Sequence, residues 1–266
     1  MLVPTPIGNL QDITLRALET LRGADVVAAE DTRHSRKLLT HFAIDKPLLR
    51  LDQHTILARA PAVLAEHGLV AFVTDAGTPG VSDPGAELVR LALDGGHAVE
   101  VLPGPTALIP ALVLSGLPLA RFAFEGFLPR KGKERRERLG AIAASPVTVA
   151  FYESSKRLLA TLDDLILVCG EGRQASISRE LSKRYETTLR GTLAELKAQF
   201  GGTEPKGEVV MVIAPVSQAS ELDFAAEAGH LAAEGLRGSQ LRRALQDLGA
   251  PRNLAYELAL SAEVNA

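Results

Sequence analysis

Four short segments, rich in glycine, proline and small polar or charged residues, hold the side chains and bare backbone best suited to gripping a small ligand. They are Pro4-Thr5-Pro6-Ile7-Gly8-Asn9, Glu30-Asp31-Thr32-Arg33-His34-Ser35, the run from Asp75 to Gly85 (Asp75-Ala76-Gly77-Thr78-Pro79-Gly80-Val81-Ser82-Asp83-Pro84-Gly85), and Pro103-Gly104-Pro105-Thr106-Ala107. Glycine lets main chain approach a ligand and adopt positive φ, whereas proline fixes φ and removes an amide donor. Such loops make a rigid pocket that presents mainly backbone groups. Asp83 and Pro84 are accounted for as the N-cap and first position of a helix starting at Gly85. Asp75, Gly77, Pro79 and Gly80 have no such local duty, and they point to a ligand pocket. No G-x-G-x-x-G opens the first helix and no G-x-x-x-x-G-K-[ST] occurs, which argues against dinucleotide and phosphate-loop binding. None of the six histidines is paired as H-x-x-x-H or H-E-x-x-H, so no metal site is expected.

The elements that must position these loops follow from apolar spacing. Val26 to Ala29, Leu48 to Leu51, Val70 to Thr74 and Ala98 to Leu102 read as short apolar strands. Amphipathic segments separate them. Asp12 to Arg22 is one, with Ile13, Ala17, Leu18 and Leu21 on a single helical face. Alternating strands and helices predict an α/β fold with a parallel sheet, and in such sheets ligands bind beyond the carboxyl ends of the strands, where all four loops would converge. Gly116-Leu117-Pro118 breaks the pattern and is the expected hinge between residues 1–117 and a mixed α/β lobe over 118–216. That second lobe reads as strand Phe122 to Phe127, helix Lys133 to Ala144, strand Val147 to Tyr152, helix Ser155 to Leu165, strands near Ala175 to Ser178 and Glu186 to Arg190, helix Thr192 to Phe200 and strand Val209 to Ile213. Residues 217–266 form a helical tail. Leu241, Leu245 and Leu248 share one face, a Gly249-Ala250-Pro251 turn follows, and Leu254 and Leu258 mark a second helix, so a helical hairpin is expected there.

Composition limits the partners. A chain of 266 residues with 46% hydrophobic and 23% charged residues can bury a full core and is near the size at which a core splits in two. Cys169 is the single cysteine, which fits a reducing compartment and makes the cytoplasm the expected location. The longest apolar stretch, Ala107 to Leu114, is broken by Pro110, so no membrane span is expected. The net charge of -3 excludes a uniformly basic surface and leaves room only for local cationic patches.

Segment by segment, the chain resembles the ribosomal RNA small subunit methyltransferase I family, cytidine 2′-O-methyltransferases of the tetrapyrrole methylase superfamily. The resemblance rests on Val3-Pro4-Thr5-Pro6-Ile7-Gly8-Asn9-Leu10, Ala29-Glu30-Asp31-Thr32-Arg33, Asp75-Ala76-Gly77-Thr78-Pro79 with Asp83-Pro84-Gly85, and Leu102-Pro103-Gly104-Pro105. The second lobe adds Glu125-Gly126-Phe127-Leu128-Pro129, Phe151-Tyr152-Glu153-Ser154, Arg179-Glu180-Leu181 and Lys206-Gly207-Glu208. It departs in Lys156, where the family usually carries His, and in Thr74, where Ser is common. The resemblance implies a two-lobed homodimer that holds S-adenosylmethionine in the cleft between lobes. It places Pro6, Asp75, Ala76, Gly77, Val81, Thr106 and Ala107 on one side of that cofactor and Phe151, Tyr152, Leu181 and Gly207 on the other. The substrate it implies is 16S ribosomal RNA of the small subunit.

Methyl transfer to a ribose hydroxyl needs the oxygen held in line with the methyl carbon, and a base helps to take the hydroxyl proton. Asp31, His34, Glu153, Glu180 and Lys183 are the candidates for that base. The run from Arg130 to Arg138 contains Arg130, Lys131, Lys133, Arg135, Arg136 and Arg138 against two glutamates, which fits RNA backbone contact. Arg33, Arg36, Lys37 and Lys183-Arg184 would extend that surface. Two other readings compete: a C-methyltransferase acting on a tetrapyrrole, and a non-catalytic RNA-binding or ribosome-assembly factor. Phosphate neutralisation by the basic run predicts that RNA affinity falls about 10³-fold or more between about 50 and 200 mM salt. Filter binding across that range measures it, and a flat response removes the basic run from the interface.

Overall fold

The computed structural model describes residues 1–201, 207–216, 224–248, 250 and 252–264. The chain divides into two compact units, Met1–Val216 and Ser217–Ala266.

The first unit begins with three parallel strands, β1 (Val26–Ala29), β2 (Leu48–Arg50) and β3 (Val70–Val73), in the order β2-β1-β3. β1 and β3 are buried at all positions because helices cover both faces, which explains their unbroken apolar runs. The strand expected over Ala98 to Leu102 is reduced to a bridge between Leu2 and Val101, beside another between Leu2 and Phe72. Pro4 and Pro103 follow directly, and proline has no amide to extend either ladder. The helices here are α1 (Leu15–Gly23), α2 (Thr32–His41), α3 (Ile56–Glu66), α4 (Gly85–Asp94) and α5 (Leu108–Ser115). α1 starts three residues later than its apolar spacing suggests. The Thr14 hydroxyl accepts the Ala17 amide at 3.0 Å and sets the start, while Leu10–Asp12 forms a separate 3₁₀ turn capped by Asn9.

Five further strands form a mixed sheet: β4 (Phe122–Phe127), β5 (Thr148–Ser154), β6 (Gln174–Arg179), β7 (Thr187–Thr192) and β8 (Glu208–Ile213), in the order β4-β5-β8-β6-β7. β4 and β5 are parallel, and the remaining pairs are antiparallel. Helices α6 (Gly132–Ala144), α7 (Leu158–Cys169) and α8 (Leu193–Gln199) accompany it, and α8 opens on a complete capping box between Thr192 and Glu195. α7 starts at Leu158 rather than Ser155, because Ser155–Arg157 is a 3₁₀ turn.

Side chains alternate across this sheet with a period of two. Val149, Phe151, Ile177, Val209, Met211 and Ile213 face a core completed by Leu139, Leu162, Leu165 and Leu196 of the helices. Ala150, Val210 and Val212 face the other way, onto Ala111 and Leu112 of α5. α5 belongs to the 1–117 segment by sequence, yet it packs on β5, β6, β7 and β8. The left-handed Gly116 (φ 71) ends it and lets the chain turn into β4.

The second unit holds α9 (Phe224–Ala233), α10 (Gly238–Asp247) and α11 (Arg252–Val264). These are three helices where a hairpin of two is expected, and they share a small core of Ala228, Leu241, Leu245, Ala250, Ala255 and Ala259. Leu248 and Leu254, expected to face inward, are 41% and 36% exposed, because alanines make the close contacts instead. Gly249 and Pro251 of the expected turn lie outside the described residues.

Leu162 is fully buried in the core beneath the mixed sheet. Leu162→Ala should therefore destabilise the first unit by about 2–5 kcal/mol, read from the midpoint of urea unfolding.

Candidate active site

The loop after β3 is fastened to its neighbours by main-chain bonds. Thr5 and Gly77 exchange amide and carbonyl hydrogen bonds, each 3.0 Å long, and the Thr5 hydroxyl donates to the Thr74 carbonyl at 3.2 Å. The Thr78 hydroxyl donates to the Pro105 carbonyl at 3.1 Å, tying in the fourth loop. Pro84 occupies the N-cap position of α4, one residue later than expected, and Asp83 acts from outside the helix. The Asp83 carboxylate accepts the Gly80 amide at 2.6 Å and the Gly85 amide at 2.8 Å, so it closes the loop and caps the helix together. A Cβ on Gly85 would lie 2.5 Å from the Gly80 nitrogen, which only glycine permits.

These loops and the mixed sheet enclose a cavity of about 530 Å³. Of the residues assigned to the cofactor by resemblance, Asp75, Ala76, Gly77, Val81, Thr106, Ala107, Tyr152, Leu181 and Gly207 line it. Pro6 and Phe151 do not. Pro6 is buried outside the lining, and Phe151 points into the helix-covered core because β5 alternates, leaving Tyr152 to face the cavity. The lining also takes in Ile7, Glu30, Thr74 and Ser82, which lie in or beside the loops read as the pocket but have no expected side-chain role, and Phe127 and Ser178, which sequence reasoning does not place there. Ser178 was within reach of the period-two pattern of β6, whereas Glu30 was hidden beside the more conspicuous Asp31.

Charge in the cavity is one-sided. Glu30, Asp75, Asp83, Glu153 and Glu208 are lining residues, and among the described residues no lysine or arginine lines the cavity. Burial raises the Glu30 carboxyl above its ordinary range, Asp75 and Asp83 push it further, and the Asp75 amide opposes them. Burial also raises the Tyr152 phenol, against the hydrogen bonds it makes to Thr106 and to the Leu108 backbone. Thr74 Oγ1 is buried beside the cavity with no hydrogen-bond partner among the described residues, an uncommon state for a buried hydroxyl. An acidic, backbone-rich cavity suits a ligand that carries positive charge and hydrogen-bonding groups, and it repels phosphate.

Most of the expected bases are otherwise engaged. Asp31 lies outside the cavity lining, caps α2 through the Arg33 amide and pairs with the Arg33 guanidinium at 2.8 Å, which holds its carboxyl far below the ordinary range. His34 is exposed. Glu153 lines the cavity, but its carboxylate is bound by the Ser154 amide at 2.8 Å, the Thr161 hydroxyl at 2.7 Å and Arg157 at 3.3 Å. Lys183 lies outside the lining and bridges Glu180 at 3.0 Å and Glu208 at 2.9 Å. Burial lowers the Lys183 pKa, but the two carboxylates outweigh that and leave it raised, so a neutral amine is disfavoured. For Glu180, burial raises the pKa, and the Glu208 amide and Lys183 more than reverse it.

The cationic residues separate into two groups. Arg130, Lys131, Lys133 and Arg136 are exposed on and before α6. Arg135 is a correction to the RNA-facing set: it is 8% exposed and donates to Asp164, the Thr161 hydroxyl and the Pro129 carbonyl, fixing the turn before α6. Arg33, Arg36 and Lys37 line a shallow groove on α2 with Thr32, Thr40 and His41. Lys156 is exposed and outside the cavity lining.

The tetrapyrrole (corrin/porphyrin) methylase family matches residues 1–197. Ribosomal RNA small subunit methyltransferase I of Synechocystis is 44% identical over 99% of this chain and 98% of its own length. The Escherichia coli O157:H7 protein of that name is 48% identical over 85% of this chain and 81% of its length. This chain belongs to that family. The family expected from eight sequence segments is thus the one that whole-chain similarity returns. Among solved structures, uroporphyrin-III C-methyltransferase of Thermus thermophilus complexed with S-adenyl homocysteine superposes with a TM-score of 0.59. It is 23% identical, with 80% of this chain and 96% of that one covered, and it supports the tetrapyrrole methylase fold. The family's two-lobed α/β frame is what the parallel and mixed sheets build.

Gly85→Ala forces the added methyl against the Gly80 backbone. It should cost about 1–3 kcal/mol and weaken binding in the cavity by more than the same change at Gly140, which has open space around it. Thermal unfolding and titration of S-adenosylhomocysteine into both variants check this.

Proposed function

We propose that this chain is an S-adenosylmethionine-dependent methyltransferase that modifies the 2′-hydroxyl of a cytidine ribose in 16S ribosomal RNA of the small subunit. The observation that carries the reading is the acidic, backbone-rimmed cavity, with no cation in its lining among the described residues, at the carboxyl edge of a tetrapyrrole-methylase fold. The named function of the curated relatives supplies the RNA substrate. When bound, S-adenosylmethionine supplies a methyl group on a positively charged sulfur. Asp75, on the cofactor side by resemblance, favours that charge and the amino group of the methionine tail. Asp75, Ala76, Gly77, Thr106 and Ala107 offer main-chain partners, and the unpartnered Thr74 hydroxyl adds a polar group behind them. Tyr152, Leu181 and Gly207 close the opposite side.

RNA reaches the cavity over two cationic surfaces in this reading. Arg33, Arg36 and Lys37 stand on the helix that begins directly after Asp31, at the cavity's own strand. Arg130, Lys131, Lys133 and Arg136 provide the second surface. Phosphate contacts of this kind set register and orientation on RNA. The enzyme works as a cytoplasmic homodimer in this proposal, and sedimentation giving twice the monomer mass is the expected result.

Labelled methyl transfer from S-adenosylmethionine to small subunits, followed by mapping of the product, tests the assignment directly. One modified cytidine ribose is expected. Methylation of a base, of a tetrapyrrole in place of RNA, or of neither would overturn it.

A further inference from the structure

We infer that Glu30 is the catalytic residue that receives the proton of the attacking ribose hydroxyl, an assignment that rests on the methyl-transfer reading above. Glu30 ends the β1 edge, is half-buried and lines the cavity. The other carboxylates around it are already committed. Asp31 is bound by Arg33, Glu153 by Arg157 and Thr161, Glu208 by Lys183, and Asp83 by two loop amides. Asp75 is exposed and stands, by family resemblance, on the cofactor. Glu30 forms no ion pair among the described residues, and the Asp75 amide is the one group that favours its charged form. Its carboxylate keeps acceptor positions free.

Among the described residues, the charged groups that act on Glu30 are acidic: Asp75 and Asp83 from the loop after β3, and Asp52 beyond β2, itself paired with Arg50 at 2.6 Å. Such surroundings make a carboxylate a stronger base than an exposed one, and a stronger base favours proton transfer. Position matches basicity, because α2 carries Arg33, Arg36 and Lys37 within a few residues of Glu30. An RNA phosphate held there brings a neighbouring ribose towards the Glu30 end of the cavity. In the step, the hydroxyl oxygen forms a bond to the methyl carbon of S-adenosylmethionine as the carbon–sulfur bond breaks. That electron pair stays on sulfur as a neutral thioether, and the hydroxyl proton passes to the Glu30 carboxylate and then to water.

Glu30→Gln keeps the size of the side chain and the acceptor for the Asp75 amide but removes the base. Single-turnover methyl transfer to small subunits should fall by about 100-fold or more, and the acid limb of the pH profile should disappear. Calorimetric binding of S-adenosylhomocysteine and filter binding of RNA should change by less than about threefold. Stability supplies a readout independent of activity. A raised carboxyl pKa means that the folded state holds the proton more tightly, so stability falls as pH rises through that pKa and the penalty is complete only above it. Glu30→Gln should therefore melt higher than the native protein at pH values above that pKa, with the difference closing in acid. Glu30→Asp, which retains a carboxylate, should recover part of the rate. Wild-type rate in Glu30→Gln overturns the assignment. So does a loss of transfer matched by a tenfold or greater loss of S-adenosylhomocysteine binding (about 1.4 kcal/mol), which would make Glu30 a cofactor ligand. Native protein that methylates no RNA defeats the parent reading instead, and the two failures are thereby separate.

Discussion

The Asp83 carboxylate accepts two amides from its own loop, and Thr5 and Gly77 pair their backbones across the sheet edge. Most of the site follows from these bonds. Loops that leave strand ends carry amides and carbonyls with no ladder to join, and each must find a partner if it is buried. Here the first and third loops partner each other, Thr78 ties in the fourth, and Asp83 folds the third back onto α4. The edge of the parallel sheet becomes a fixed wall, and the side chains left over, Glu30 and Asp75 among them, face the cavity because the backbone is already satisfied. Positive φ at Gly77 (82°) and Gly80 (99°) makes that path possible.

The opposite wall is held by a different device. Glu180 and Ser182 adopt left-handed backbone at φ 53° and 67°, a costly conformation for residues with side chains. Lys183 offsets it by bridging Glu180 and Glu208, while its stem lies against Gly8 of the first loop and Ser182 bonds Asp12. A side chain at Gly8 or Gly207 would collide with Lys183 or Glu180 respectively. The motif around Arg179-Glu180-Leu181 therefore works as a brace between the two sheets, and Leu181 is the member that reaches the cavity.

Beneath the Gly126-Phe127-Leu128-Pro129 turn, Arg135 and Arg157 donate to the Pro129 carbonyl, and Thr161 links Arg135 to the buried Glu153. Burying a charge is expensive unless it is fully paired, and this network meets that demand. Two residues that look functional in the sequence, Glu153 and Arg135, are thus spent on holding the turn that leads into the exposed cations of α6. A basic run contains inward and outward members, and only the outward ones are available to a partner.

Local sequence determined much of this protein. Apolar runs located β1 and β3, the helix expected from Thr192 starts on that residue's cap, and the glycine and proline spacing of four loops located the pocket, whereas the apolar spacing of α1 points to Asp12 rather than to its Thr14 cap. Nine of the eleven residues assigned by resemblance to the cofactor line the cavity. What a side chain faces was decided elsewhere. Phe151 and Tyr152 are neighbours with similar chemistry, and only the register of β5 against β8 turns one to the core and the other to the cavity. Asp31 and Glu30 are likewise adjacent acids, but Arg33 neutralises the first while Asp75 and Asp83, distant in sequence, surround the second. Charge and exposure at a point depend on every chain segment that passes near it, so tertiary structure alone assigned them.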